Sequence, residues 1–174
     1  MKQILKRIKK RFRKLDDRFD CFSRYELQVE GWLLGELITL LDKMQKKREI
    51  IGFDREITTV GNKRIDLAID HKDARIWIEL KHWLIGEQSG ESWLPKDYVR
   101  ELNHEFEKLE EAGAGENGWI AVLCTRNPGL RAWTQGIEKF NKEFKPWSLE
   151  AVDNPNDYPK NWYFGALKAR GLKG

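Results

Sequence analysis

The chain has 174 residues, 40% of them hydrophobic and 34% charged, with a formal net charge of +4. That size supports one domain with a substantial core, and no apolar run approaches the roughly 20 residues of a membrane span. Cys21 and Cys124 lack CxxC or histidine spacing, which excludes a zinc finger or disulfide framework. With no secretory h-region after the start, the expected setting is intracellular and cytoplasmic.

The first 15 residues hold eight basic side chains and no acid, so the other 159 residues sum to 4 − 8 = −4. Ile4, Ile8, Phe12 and Leu15 recur at helical spacing, which predicts a basic amphipathic helix over residues 1–20, ahead of a single domain over 21–174. Lys6, Arg7 and Lys10, with Arg64 further on, are candidates for nucleic-acid phosphates. A solvated helix docked by its apolar stripe and a membrane-surface or targeting helix are the other readings.

A second helix is expected over residues 23–46, with Ser23 as N-cap and Leu33, Leu37, Leu40, Leu41 and Met44 as its core stripe. On one continuous helix, Glu26 and Glu30 fall within that stripe and Glu36 on its rim. A carboxylate in an apolar stripe needs a cation or a basic partner. For Glu30 or Glu36 the plain alternative is a salt bridge to Arg24, Lys43 or the first helix. A strand over 50–60 ends at Gly61-Asn62, a turn signal.

Residues 64–81 read as a hairpin. Ile65, Leu67, Ile69, Ile76, Ile78 and Leu80 form one face; Asp66, Glu79 and Lys81 lie on the other. A four-residue loop, His71 to Ala74, pairs Asp70 with Arg75 and sets Asp66 opposite Glu79. Like charges so opposed are destabilising, and a divalent cation bound by oxygens relieves them.

Beyond the hairpin, residues 82–95 are expected as a loop, with His82 structural and Trp83 and Trp93 either filling the core or stacking on unpaired bases. A charged helix over 96–112, a buried strand over 119–125, a helix over 130–144, a short strand over 148–152 and an aromatic segment at Trp162-Tyr163-Phe164 complete the order. Alternating helices and strands predict an α/β fold, a mixed sheet flanked by helices. Absent GxxxxGK[ST] and GxSxG motifs argue against a nucleotide motor or an acyl-transfer hydrolase.

Asp66, followed by Glu79-Leu80-Lys81 after a short apolar strand, resembles the D…(D/E)-x-K motif of the PD-(D/E)XK nuclease superfamily. Ile65 stands where the motif's name puts a proline, a position that varies. Glu30-Gly31-Trp32-Leu33 is similar to the E-x-x-L of Holliday-junction resolvases and related endonucleases, and Glu36 is the alternative helix carboxylate. The resemblance spans roughly residues 26–125. It implies a restriction-endonuclease-like fold and a Mg²⁺-dependent deoxyribonuclease acting in restriction, repair or recombination in a prokaryotic, archaeal or viral setting. Mn²⁺ would substitute, DNA would be the partner, and a homodimer is a common arrangement. It further implies Mg²⁺ on Asp66, Glu79 and the Leu80 carbonyl, Lys81 assisting the attacking water, and Glu30 completing the catalytic set. The rival reading is a catalytically inactive DNA-binding or complex-forming subunit.

Overall fold

A computed structural model describes residues 2–25, 27–59, 61–85, 96–126 and 162–168. Glu26, the loop around Trp93, the helix expected over 130–144 and the strand expected over 148–152 lie outside the described residues. The elements are α1 (Lys2–Phe12), α2 (Asp16–Arg24), α3 (Glu30–Lys46), β1 (Gly52–Thr58), β2 (Arg64–His71), β3 (Ala74–Ile85), α4 (Lys96–Glu111), β4 (Gly118–Arg126) and β5 (Trp162–Lys168).

The five strands form one mixed sheet in the order β1-β2-β3-β4-β5. All neighbours are antiparallel except β3 and β4, which run parallel and are joined through α4. Strand alternation sorts the sheet into two apolar faces. Leu67, Ile69, Ile76, Ile78, Leu80, Trp119, Ala121, Leu123, Trp162 and Phe164 share a core with α1, α2 and α3. The opposite parity, including Trp83, Ile120 and Val122, is buried on the side of α4, which packs on β4 and β3 through Leu102, Phe106 and Leu109. The chain is therefore α/β, its sheet flanked by helices.

α1 docks by its apolar stripe: Ile4, Leu5, Ile8 and Phe12 are all buried. It stops earlier than expected, because Lys14 N–H bonds to the Arg11 carbonyl and Leu15 N–H to the Phe12 carbonyl, tightening the chain into a turn. α2 then starts on Asp16 and Asp17, acids that suit a helix N-terminus. The helix expected from Ser23 is thus two helices. Ser23 sits in the last turn of α2, and α3 begins only at Glu30. The N-cap of α3 is Val29, whose side chain cannot cap; its amide bonds instead to the His82 ring at 3.4 Å.

The hairpin keeps the expected register, with Asp70 opposite Arg75 and Ala68 opposite Trp77. Its turn is shorter than expected. His71 and Ala74 also pair, leaving Lys72 and Asp73 to turn the chain, with Lys72 in the left-handed region at φ +54°. Arg75 closes the hairpin on its polar face by bridging Asp70 and Asp54 and lying over the Trp77 ring, 5.1 Å from its centroid.

Candidate active site

The backbone pairing of β2 with β3 ends at Leu67 and Ile78. Asp66 and Glu79 come next in the same register, where the two strands part. Asp66 Oδ2 accepts the Leu80 amide at 2.8 Å, so the carboxylate is anchored across the strand gap by backbone. Glu79 points to the α4 side and is 1% exposed. Its Oε2 meets Lys108 Nζ at 2.9 Å, while its Oε1 is buried without a hydrogen-bond partner among the described residues. Burial, together with the facing Asp66 charge, pushes the Glu79 carboxyl up to about 8 despite Lys108.

Lys81 shares that strand face and is also largely buried. It bonds to Glu105 Oε1 at 2.9 Å and reaches Glu101 Oε1 at 3.4 Å. Burial alone would lower its ammonium; the bond and charge of Glu105, with Glu30 and Glu101 behind it, hold it above the ordinary lysine value. Glu105 also contacts Lys108 at 3.0 Å. Burial would raise its carboxyl, yet the two lysines together draw it below the ordinary range. Trp83 is buried and donates its indole N–H to Glu101 at 3.1 Å, so it braces the α4 carboxylates and presents no face for base stacking.

Glu30 joins this group from α3. Its Oε2 accepts the His82 amide at 3.3 Å. Partial burial raises its carboxyl; the Lys81 charge and the His82 amide oppose that rise, and Asp66 and Glu101 add to it. Glu30 does not sit within the apolar stripe. As the first residue of α3 it stays open to solvent on one side. Glu36 lies elsewhere. Its Oε2 takes a forked bond from Arg11 at 2.7 and 3.0 Å and its Oε1 meets Arg18 at 3.1 Å, so it ties α1 and α2 to α3.

His82 is buried, and burial lowers its imidazole to about 4. Its Nδ1 accepts the Val29 amide with the Gln28 side chain 3.1 Å away, and its Nε2 lies 2.8 Å from the Thr125 hydroxyl. Ring and backbone of this one residue therefore hold both Val29 and Glu30 against β3.

Of the basic candidates for nucleic acid, Arg64 is exposed and paired with Glu56 at 2.6 Å, and Arg7 is paired with Glu49 at 2.6 Å. Lys6 and Lys10 are exposed and make no ion pair among the described residues.

Family models, curated proteins and solved structures were compared with the chain, and none matches it.

Sequence reasoning missed the α4 contribution: Glu101, Glu105 and Lys108. At 100° per residue these three fall within about 60° of one another, beside the apolar stripe of Leu102, Phe106 and Leu109. A mixed-charge stripe flanking an apolar one is the signal that was available. Counted together, Glu30, Asp66, Glu79, Glu101 and Glu105 face Lys81 and Lys108, five acids against two bases. Among the described residues, no three acidic, histidine or cysteine side chains converge as a ready cation cage. The orphaned Glu79 oxygen beside Asp66 nevertheless suits a hard divalent ion, since both donors are carboxylate oxygens and their mutual repulsion needs positive charge.

This network makes a pH prediction for the metal-free chain. Glu79 keeps its proton up to about pH 8 when folded, against 4.5 for an ordinary glutamate. The folded state thus binds more protons in that window, and stability falls as pH rises through it. His82 acts in the opposite direction between about 4 and 6.5, so Glu79 is best read between pH 6.5 and 8. Urea unfolding in EDTA should give lower stability at pH 8 than at 6.5, and Glu79→Gln should flatten that fall. Equal pH dependence in both proteins would refute the burial argument.

Proposed function

We propose that this chain is a metal-dependent nuclease of the restriction-endonuclease-like type, hydrolysing phosphodiester bonds in DNA. The observation that carries the reading is the placing of Asp66, Glu79 and Lys81 where β2 and β3 part, with Glu30 near enough to feel the Lys81 and Asp66 charges and a buried Glu79 oxygen left unpartnered. The element order supports the fold part of the proposal: a helix, three antiparallel strands, a crossover helix and a parallel strand.

Asp66 and Glu79 would hold Mg²⁺ or Mn²⁺, with the Leu80 carbonyl beside them. A bound divalent ion supplies charge to the scissile phosphate and lowers the pKa of water. Lys81 acts as a cation. Its raised pKa keeps Nζ protonated, so it donates hydrogen bonds to a phosphate oxygen or orients water without taking a proton. Glu30, with the elevated affinity for a proton that burial gives it, is the group suited to accept one from the attacking water. Glu105 and Glu101 hold Lys81, and His82 holds Glu30.

One observation favours a second reading, an inactive DNA-binding or complex-forming subunit. Lys108 Nζ already stands 2.9 Å from Glu79 Oε2, so a cation of the chain itself occupies one side of the group that would bind the metal. A panel of labelled linear duplex, single strand, flap, four-way junction and RNA separates the two. Cleavage of a DNA substrate with Mg²⁺ or Mn²⁺, abolished by EDTA, is the expected result. An uncut panel, with no heat of Mn²⁺ binding by calorimetry, would leave the binding module.

A further inference from the structure

We infer that α1 and the turn after α3 form a phosphate-backbone track, a nucleic-acid surface separate from the carboxylate centre. The inference takes its polyanion from the reading above but does not depend on hydrolysis.

The division of labour among the basic residues of α1 carries it. The two arginines face inward, Arg7 onto Glu49 and Arg11 onto Glu36. Lys6 and Lys10, four residues apart, and Lys14 in the following turn are exposed and make no ion pair among the described residues. Lys6 and Lys10 therefore stand about 6 Å apart along the helix axis. The Arg7–Glu49 pair brings the turn that follows α3 alongside, and that turn adds exposed Lys47 and Arg48.

The same two ion pairs set the direction of the track. Arg7 meets Glu49, beyond the C-terminal end of α3, while Arg11 meets Glu36, about one and two-thirds turns from its start. α1 thus runs antiparallel to α3, and the lysines lead toward the end of α3 that bears Glu30.

A membrane partner does not fit this surface. A basic helix lies on a bilayer by sinking its apolar face among the acyl chains. In α1 that face is spent: Ile4 and Phe12 are 0% exposed and Leu5 and Ile8 no more than 3%. What remains outside is charge without an apolar wedge, which suits a polyanion held by counterion release.

Binding to a fluorescent DNA duplex should be measured in EDTA, from about 50 to 200 mM KCl, for the wild type and for the triple variant Lys6→Gln/Lys10→Gln/Lys14→Gln. Loss of three phosphate contacts should make the slope of log K against log salt shallower by about 2.7. Lys47→Gln/Arg48→Gln, on a different element, should lower it by about 1.8. A matching RNA duplex shows which nucleic acid is preferred. Unchanged slopes in both variants, no duplex binding by the wild type, or lysine-dependent binding to anionic phospholipid vesicles in place of nucleic acid would overturn the track. Lysine-dependent binding with no cleavage under any metal would remove the hydrolytic reading alone; metal-dependent cleavage with unchanged slopes would remove the track alone.

Discussion

Exchange of Asp66 for asparagine is expected to reduce Mg²⁺-dependent DNA cleavage by roughly 10³-fold while leaving the chain folded. The substitution separates charge from structure. The asparagine oxygen still accepts the Leu80 amide that Asp66 Oδ2 accepts at 2.8 Å, so the strand gap keeps its tie. The charge beside Glu79 is lost, and with it half of the proposed cation donor pair. Removing that charge also relieves one of the causes that raise the Glu79 carboxyl, so calorimetry should show weaker Mn²⁺ binding without a fall in melting temperature. Lys81→Ala is the companion, with a loss of about 10²–10³-fold, because Lys81 is the cation two residues from Glu79 on the same strand face. Full activity in either folded variant would end the nuclease assignment at this site.

Phe12→Ala should give the largest loss of stability, about 3–5 kcal/mol, read as a melting temperature lower by roughly 10 °C. Phe12 is fully buried at the centre of an aromatic cluster. Its ring meets Phe164 edge-on at 5.0 Å, Phe19 at 5.4 Å and Trp162 at 6.1 Å, and Trp32 lies tilted at 6.5 Å. Four neighbours from α2, α3 and β5 cannot all collapse into the space a phenyl ring leaves. Phe19, stacked on Trp162 at 4.8 Å, closes the same cluster from α2. A change below about 1 kcal/mol would show that α1 is not docked as described.

The hairpin register was legible because alternation is strict on both strands: one choice of turn puts six aliphatic residues on one face. The turn length was not, because Lys72 takes a left-handed backbone that glycine or asparagine usually announces. The apolar stripe of α1 was legible for the same reason as the hairpin, and burial bears it out. The break before α3 was hidden. The Val29 amide at its start is held by His82, fifty-three residues away, and no local pattern encodes a helix start fixed by a distant strand. Glu30 was favoured by its position and its E-x-x-L pattern, but Glu36 stayed open as the alternative helix carboxylate until Arg11 and Arg18 met it, a contact between elements that only packing decides. The α4 network was missed because a lysine–glutamate stripe on a helix is commonly solvated, and its burial depends on which strand face it covers.

The aromatic cluster also bears on synthesis. Trp162, from the last described strand, stacks on Phe19 and bonds through its indole N–H to Asp16 at 2.8 Å, across 146 residues of sequence. The first helices leave the ribosome long before that strand exists, so Phe12 and Phe19 have only Phe22 and Trp32 of the cluster beside them through most of translation. Contacts of such separation form late and slowly. The nascent chain therefore carries a basic segment with unsheltered aromatic rings until β5 supplies Trp162 and Phe164 to cover them.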